Sequence, residues 1–202
     1  MTVTGVIQAG GKSTRMGGHP KALSYLGKSR LIERVVNVLS TVFSHLLVVT
    51  NTPELYAFLK LPMVPDVFAD HGSLGGIYSG LKAAQGEAVF TVACDMPFLH
   101  PGVVQLVVSH AAEADVVIPK VGEQLETMHA VYAKACLPHM EALLMAKRFK
   151  IVGFFDQVRV CEIPEEEVVR FRDPEICFMN VNTPEELARA SRLLAQLEGE
   201  PE

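Results

Sequence analysis

No run of apolar residues in this 202-residue sequence approaches the length, about 18 residues, that a membrane-spanning helix needs. The first residues also lack the charged and then apolar pattern of a secretion signal. The four cysteines are scattered and form no Cys-x-x-Cys pair, so their spacing suggests neither a zinc site nor a redox dithiol. We therefore expect a cytoplasmic protein with reduced thiols.

Boundaries between domains are also missing from the sequence. No internal repeat, low-complexity segment or Gly/Ser linker divides the chain. A chain of this length buries roughly 70 % of its unfolded surface without disulfide or metal support. We expect a single domain over residues 1–202, with a disordered acidic tail at residues 197–202.

Acidic residues are absent from the first 32 positions, although the formal net charge of the whole chain is −5. That segment contains five cations, which are Lys12, Arg15, Lys21, Lys28 and Arg30. An acidic protein with one basic end is suited to a small polyanionic ligand rather than to nucleic acid or a membrane surface.

Apolar runs of strand length alternate with helical patterns along most of the chain. The runs at residues 3–7, 45–50 and 87–93 are typical of parallel strands that are covered on both faces. Ser29 is expected to cap the first long helix, and further helices are expected at the following ranges: 53–59, 72–84, 101–111, 134–145 with an interruption at Pro138, and 184–197. This alternation predicts a three-layer α/β/α Rossmann-like fold with a mostly parallel sheet.

The second half of the chain departs from this regular alternation. Residues 124–132 follow the strand at 115–120 too closely for a crossover helix, so we expect them to form one antiparallel strand. Short strands are expected at 157–163 and 176–179. Thr183 to Glu186 has the pattern of a capping box, with proline at the first helical position.

A loop of glycines, hydroxyls and cations, called the basic loop here, covers residues 8–21 directly after the first strand. Gly10 and Gly11 leave backbone N–H groups open to a ligand, and the cations supply positive charge, which together favour phosphate. The Walker A pattern does not fit, because Val6 stands where its first glycine is needed. The Rossmann glycine pattern fails as well, because Lys12 stands two residues after Gly10.

Gly10, Asn51 and Asp95 each lie just beyond the carboxyl end of a predicted parallel strand. In open α/β sheets the ligand lies beyond these ends, so we expect the three residues to converge on one crevice.

Three sequence elements resemble the GT-A-like nucleotidyltransferases. The pattern A-G-G-x-S-x-R-M-G at 9–17, followed by Lys21, resembles their signature loop, and its double glycine resembles the molybdenum cofactor guanylyltransferases, or MobA family, among them. Residues 94–97 resemble the family's C-D-x-P element, and residues 180–187 match its N-V-N-T-P-E-E-L element. The resemblance extends from residue 9 to residue 187 and is vaguest at 101–176. Pro20 departs from the family's common aspartate.

The resemblance implies a set of site residues. In the family, the lysine equivalent to Lys21 contacts the nucleotide phosphates, as we also expect of Arg15, and the aspartate equivalent to Asp95 binds Mg²⁺. Asn182 is implied to bind a second magnesium-phosphate group or the acceptor. The implied nucleotide-binding residues are Gln8, Ala9, Gly10, Gly11, Ser13, Lys21, Asn51, Asp66 and Asp95. A glycine-rich element at 72–76 either contacts the ligand or only shapes the crevice.

The implied reaction is transfer of GMP from GTP to the terminal phosphate of molybdenum-bound molybdopterin, with release of pyrophosphate. Cofactor-delivery proteins or apo-molybdoenzymes are further expected partners.

Three alternative functions remain open. They are a cytidylyltransferase acting on the same cofactor, a sugar-phosphate nucleotidyltransferase, and a non-catalytic module that binds nucleotide and delivers the cofactor. Two residues near these elements have simpler interpretations: Cys94 as a small buried hydrophobe, and His129 as a strand-end histidine with its hydrogen bonds satisfied.

Overall fold

The computed structural model describes residues 1–10, 20–68 and 71–199. Within those ranges no helix combines the length and the apolar character that crossing a membrane requires.

The described residues contain ten strands. They are β1 (Val3–Gln8), β2 (Tyr25–Leu26), β3 (Ser29–Arg30), β4 (Leu46–Val49), β5 (Met63–Val64), β6 (Ala88–Ala93), β7 (Val116–Val121), β8 (Gln124–Leu125), β9 (His129–Ala133) and β10 (Val160–Pro164). Seven of them form a sheet in the order β10-β7-β9-β6-β1-β4-β5, and the short β8 joins this sheet by pairing with β7. The strands β2 and β3 form a separate antiparallel hairpin.

The direction of the strands confirms a mostly parallel sheet. β1 runs parallel to both β4 and β6, β4 is parallel to β5, and β7 is parallel to β10. β9 is antiparallel to β6 and to β7, and the short β8 is antiparallel to β7. The reversed segment predicted at 124–132 is therefore present, but a turn divides it into β8 and β9.

The described residues contain seven α-helices and several shorter 3₁₀ segments. The α-helices are α1 (Leu31–Ser40), α2 (Gly72–Ala83), α3 (Pro101–Ser109), α4 (Leu137–Met145), α5 (Glu165–Val169), α6 (Pro174–Cys177) and α7 (Pro184–Gly199). The 3₁₀ segments are Lys21–Leu23, Pro53–Leu59, Lys134–Cys136 and Ile151–Gln157.

Helices cover both faces of the sheet, which confirms the predicted three layers. Ile7 and Phe90 point to the face that packs on α1 and α3, whereas their neighbours Val6 and Val89 point to the face that packs on α2 and α4. This alternation follows from the twofold repeat of a strand, and apolar residues on both faces are what a central strand requires. A third, smaller cluster joins the β2–β3 hairpin to α7.

The prediction of a strand at 176–179 is wrong, because residues 174–177 form α6 instead. The Asp173 side chain caps this helix by accepting the N–H of Glu175 at 2.9 Å, and Pro174 occupies the first turn. A side-chain cap followed by proline is a strong helix start, and it outweighs the short apolar run that suggested a strand.

The boundaries of several helices also differ from the sequence-based expectation. Ser29 lies in β3 and does not cap α1; Arg30 takes that position, and its N–H donates to the Glu33 carboxylate at 2.7 Å. Pro138 does not interrupt α4, because it lies in the first turn, where no backbone N–H is needed. α7 extends to Gly199, so the first three residues of the expected acidic tail are helical, and 200–202 lie outside the described residues.

Candidate active site

The carboxyl ends of three neighbouring strands meet at one edge of the sheet. The last residue of β1, Gln8, pairs with Val49 of β4 and with Ala93 of β6. Two backbone hydrogen bonds continue the alignment beyond the strands, from Ala9 N–H to Val49 O at 2.9 Å and from Cys94 N–H to Gln8 O at 3.1 Å. Gly10, Asn51 and Asp95 consequently leave the sheet at the same edge, as the strand order predicts.

Three sequence elements that are far apart in the chain meet at the ammonium group of Lys21. Its Nζ donates a hydrogen bond to Asn182 Oδ1 at 2.6 Å and forms a salt bridge with Asp95 Oδ2. These partners are 161 and 74 positions away along the chain. The Asp95 side chain is only 4 % exposed, whereas that of Lys21 is 30 % exposed. The buried carboxylate is therefore paired, as buried charges must be, by a cation that still reaches solvent.

The backbone around Asn182 is fixed by two sets of hydrogen bonds. The N–H of Val181 donates to the carbonyl oxygen of Asp95 at 2.9 Å, which ties this segment to the end of β6. Glu186 Oε2 accepts the N–H groups of Asn182 and Thr183 at 2.6 and 3.0 Å, and Glu186 N–H donates to Thr183 Oγ1 at 3.2 Å. The predicted capping box is thus confirmed, and it also orients Asn182 toward Lys21.

The pair of oxygens that contact Lys21 also suits a divalent cation. Asp95 Oδ2 and Asn182 Oδ1 approach the same positive group, so the site already concentrates negative potential at one point. Carboxylate and amide oxygens are the protein ligands that Mg²⁺ prefers, and one or two of them are enough when phosphate oxygens and waters complete the shell. Asp95 and Asn182 therefore fit such an ion.

Asn51 and Asp66 lie side by side, next to the amino-terminal half of α2. Asn51 Oδ1 accepts the backbone N–H of Asp66 at 2.9 Å. Asp66 Oδ1 accepts the N–H of Phe68 at 3.0 Å and lies 3.0 Å from Ser79 Oγ. Among the described residues, no hydrogen bond engages the Asn51 amide NH₂ group or Asp66 Oδ2. The structure therefore brings together two residues that the sequence predicted separately.

Gly75 and Gly76 of α2 make room for two side chains at the edge of the crevice. A Cβ atom at Gly76 would lie 2.6 Å from Gln8 Oε1, and one at Gly75 would lie 3.1 Å from Asp66 Oδ1. Gln8 is 9 % exposed, and its Nε2 donates to Thr91 Oγ1 at 3.0 Å. The glycine-rich element thus shapes the crevice through close packing, and the Gln8 side chain is held by the sheet.

The basic loop is only partly within the described residues. Ala9 is buried with 6 % exposure, and Gly10 is exposed, with none of the described atoms within 4 Å of where its Cβ would be. None of the described residues therefore keeps a ligand from the Gly10 backbone. The other predicted residues of the loop, Gly11, Ser13 and Arg15, lie outside the described residues.

Comparison with known proteins identifies the family. The model of the MobA-like NTP transferase domain matches residues 5–158. The chain belongs to this family.

Relatives of this MobA-like chain match it over nearly its full length. A protein of Pelotomaculum thermopropionicum named probable molybdenum cofactor guanylyltransferase is 38 % identical over 196 residues, which cover 97 % of this chain and 95 % of that protein. The molybdenum cofactor guanylyltransferase of Vibrio cholerae is 32 % identical over 190 residues, covering 93 % and 91 %. The crystal structure of molybdopterin-guanine dinucleotide biosynthesis protein A from Archaeoglobus fulgidus matches with a TM-score of 0.84 at 26 % identity, covering 97 % and 100 %. The expected GT-A-like nucleotidyltransferase fold is confirmed.

Two further residues of the MobA-like chain lie close to this edge of the sheet. Burial and the charge of Asp95 raise the pKa of the Cys94 thiol to about 12, so Cys94 is a neutral, buried group, in agreement with its interpretation as a small hydrophobe. His129 contradicts its interpretation, because among the described residues neither ring nitrogen has a hydrogen-bond partner. Its ring contacts Phe90 and Phe178 edge to face, and complete burial lowers its pKa to about 3.

Sequence reasoning missed the polar groups that support the site from behind. Thr91 holds Gln8, and Ser79 holds the Asp66 loop through Val67 N–H, which donates to Ser79 Oγ at 3.0 Å. Both residues lie within apolar segments, where a hydroxyl gives no signal of its partner. Glu186 was predicted only as part of a helix start, although the same pattern also positions Asn182.

Proposed function

We propose that this chain transfers GMP from GTP to the terminal phosphate of molybdenum-bound molybdopterin and releases pyrophosphate. The convergence of Lys21, Asp95 and Asn182 at the carboxyl edge of the sheet is the observation that carries the proposal. The relatives named molybdenum cofactor guanylyltransferase, which match nearly the whole chain, support the choice of guanine nucleotide and acceptor.

The chemistry requires alignment and charge stabilisation more than proton transfer. The acceptor phosphate is already an anion, so one of its oxygens attacks the α-phosphorus of GTP without a general base. The bond from the α-phosphorus to the β-phosphate oxygen breaks, and the electron pair leaves with pyrophosphate. Holding the two phosphates in line supplies a large part of the rate enhancement in reactions of this type.

Lys21 is the cation best placed to stabilise the leaving group. Its ammonium is anchored by Asp95 and Asn182, but the side chain is 30 % exposed, so the ammonium can turn toward a phosphate in the crevice. Hydrogen bonds between ammonium and phosphate are charge-assisted and therefore stronger than neutral ones. We propose that Arg15 of the basic loop acts on the same phosphates.

We propose that Asp95 holds Mg²⁺, with Asn182 as a second oxygen ligand. Both oxygens contact the Lys21 ammonium, so the site is built to accept positive charge. When bound, magnesium would neutralise part of the phosphate charge and orient the triphosphate. Asn51 and Asp66, which lie beside each other at the neighbouring strand end, are proposed to contact the nucleotide.

The product must afterwards reach an enzyme that uses it. We propose that this chain binds a cofactor-delivery protein before the reaction or an apo-molybdoenzyme after it. Co-purification of the chain with either partner, in the presence and absence of GTP, tests this part of the proposal separately from catalysis.

The deciding experiment measures pyrophosphate release with Mg²⁺ and molybdenum cofactor, while GTP, CTP, ATP and UTP are offered in parallel. We expect release with GTP and not with the other three, and loss of release in Asp95→Asn. Release with CTP alone would overturn the choice of base and retain the mechanism. Nucleotide binding without release in the presence of the cofactor would favour a non-catalytic delivery module, and release only with a sugar phosphate would replace the acceptor.

A further inference from the structure

Three side chains with metal-binding atoms lie together near the amino ends of β7 and β10, whereas Asp95 lies beyond the carboxyl end of β6. His110 follows α3, Glu113 lies in the turn that leads to β7, and Cys161 is the second residue of β10. The Cys161 Sγ atom, a Glu113 carboxylate oxygen and a His110 ring nitrogen all lie within 4.8 Å of one another. We call these three residues the His110 cluster. Cys161 is distant from the other two in sequence, so cysteine spacing gave no indication of it.

Hydrogen bonds hold the backbone on both sides of the cluster in place. Arg159, just before β10, donates from Nε and Nη2 to the two carboxylate oxygens of Asp115 at 3.1 and 3.0 Å. Its Nη1 donates to the carbonyl oxygen of Glu113 at 3.3 Å. The N–H of Glu113 in turn donates to the carbonyl oxygen of His110 at 2.9 Å. The turn and the edge strand are thereby joined next to the three side chains, so the cluster does not depend on the chance meeting of flexible groups.

The His110 ring turns its Nδ1 atom toward the Glu113 carboxylate. His110 Nδ1 is shielded from solvent and lies 3.1 Å from Glu113 Oε2, but it forms no hydrogen bond with any described residue. In the neutral ring with its proton on Nε2, Nδ1 and the carboxylate oxygen are both acceptors, and a cation between them would satisfy both. A carboxylate and a thiol beside such a nitrogen are what a metal ion needs.

We propose that His110 Nδ1, the Glu113 carboxylate and Cys161 Sγ bind one zinc ion. Nitrogen, oxygen and sulfur together are a ligand set typical of Zn²⁺, whereas Mg²⁺ and Ca²⁺ bind through oxygen alone. Zinc bonds of about 2.0 to 2.3 Å in a tetrahedron place ligand atoms roughly 3.5 Å apart, so small side-chain rotations from the observed separations are sufficient. Cys161 binds as the thiolate and releases its proton to solvent.

The fourth position of the zinc ion is available to water or to Glu167. This residue lies on α5, which follows β10 directly, and its charge acts on Cys161 together with that of Glu113. Zinc bound in this way connects the end of α3, the turn before β7 and the edge strand β10. The role is structural and is independent of the proposed guanylyltransferase reaction at the opposite edge.

Cobalt binding to the full-length, metal-free protein provides the first test. Co²⁺ replaces Zn²⁺ in tetrahedral sites and gives a sulfur-to-cobalt charge-transfer band when a thiolate is a ligand. We expect one Co²⁺ per chain with this band, displacement by Zn²⁺, and loss of the band in Cys161→Ser. His110→Ala and Glu113→Gln should weaken binding by at least about 100-fold, the upper end of what loss of a supporting residue costs.

Matched controls locate the ion. His45→Ala removes an exposed histidine at another position and should leave cobalt binding unchanged. Asp95→Asn should also retain the band, because Asp95 lies at the other edge of the sheet. A band that persists in Cys161→Ser would assign the ion to another thiol and overturn the proposal, as would the absence of a band in the unmodified protein.

Thermal unfolding gives a second readout that does not depend on colour. Zn²⁺ at about 100 times its dissociation constant should raise the Tm by roughly 5 to 10 °C for a chain of this size. The rise should disappear in His110→Ala and in Cys161→Ser. An equal rise in all variants would show that zinc stabilises the protein from elsewhere, and an unchanged Tm in the unmodified protein would contradict a structural role.

Discussion

At the scale of single residues, Lys21 joins the parts of the site. Asp95 and Asn182 are predictable from their motifs, but their contact with a common ammonium is not, because it depends on how segments 74 and 161 positions apart fold together. The residues that hold them, such as Glu186 and Thr91, give no local signal of that role. The sequence therefore predicts the chemical groups, and the packing of the chain determines which of them meet.

Replacement of Lys21 should slow the reaction strongly. We expect Lys21→Ala to lose roughly 10²- to 10³-fold in kcat/KM for GTP, as when one preorganised donor is removed from a reacting phosphate or oxyanion. Lys28→Ala is the matched control, because Lys28 belongs to the same basic segment but is exposed. Steady-state pyrophosphate release measures both variants. Activity of Lys21→Ala within a few fold of the unmodified protein would remove Lys21 from the mechanism.

His129 should make the protein less stable in acid. Its pKa is lowered to about 3 by burial, whereas in the unfolded chain the ordinary value is about 6.5. Between these values the unfolded chain binds a proton that the folded chain does not, so stability falls as the pH falls from about 6.5 toward 3.

Replacing His129 by leucine tests this expectation. His129→Leu should be more stable than the unmodified protein, because it removes two buried nitrogens that have no hydrogen-bond partner among the described residues. Its advantage in the free energy of unfolding should grow by about 2 kcal/mol between pH 7 and pH 5. Urea unfolding at the two pH values measures the difference, with His45→Leu as the exposed control. If the difference in unfolding free energy between His129→Leu and the unmodified protein is the same at both pH values, His129 does not destabilise the protein in acid.

At the scale of elements, the sequence predicted most strands and helices but misplaced several boundaries. The core strands are recognisable because both of their faces are apolar, and α7 because its capping box is complete. The prediction failed at α6, where the first half of the short apolar run 176–179 lies in a helix that starts at Pro174 and is capped by Asp173. The pattern of four apolar residues does not distinguish a strand from one helical turn, so the capping residues decide.

The contact between α2 and β1 sets the position where the basic loop begins. Gly76→Ala would place a methyl group 2.6 Å from Gln8 Oε1. Either the Gln8 side chain must then give up its hydrogen bond to Thr91 Oγ1, or α2 must move away from β1. We expect a loss of about 1 to 3 kcal/mol in the free energy of unfolding, as for other cases of overpacking. GTP turnover should fall as well, because Gln8 directly precedes Ala9 and Gly10.

Gly199→Ala provides the control for this substitution. Gly199 also lies in a helix, and a Cβ there would meet none of the described atoms within 4 Å. Chemical denaturation of both variants and of the unmodified protein measures the difference. A Gly76→Ala variant as stable and as active as Gly199→Ala would show that α2 and β1 are not tightly fitted at this point.

At the scale of the whole molecule, ligand binding should stabilise the entire chain. The proposed site takes residues from the first, middle and last parts of the sequence, so GTP with Mg²⁺ connects segments that must otherwise separate on unfolding. At about 100 times its dissociation constant, the nucleotide should raise the Tm by roughly 5 to 10 °C. Differential scanning calorimetry with GTP and with CTP measures this, and a rise with CTP alone would contradict the proposed base preference. Lys21→Ala should show a smaller rise with GTP.

The packing of α7 has a consequence for the order in which parts of the structure can form during synthesis. Leu194 of α7 lies against the β2–β3 hairpin next to Leu26, and Asn182 just before α7 holds Lys21. A growing polypeptide can form β1, β4 and β6 early, but Lys21 and Asp95 lack Asn182 until residues 180–199 have left the ribosome. Because domains fold as their segments emerge, the core strands can form before the proposed site does, and the site is completed only when Asn182 and α7 can pack against the hairpin and Lys21.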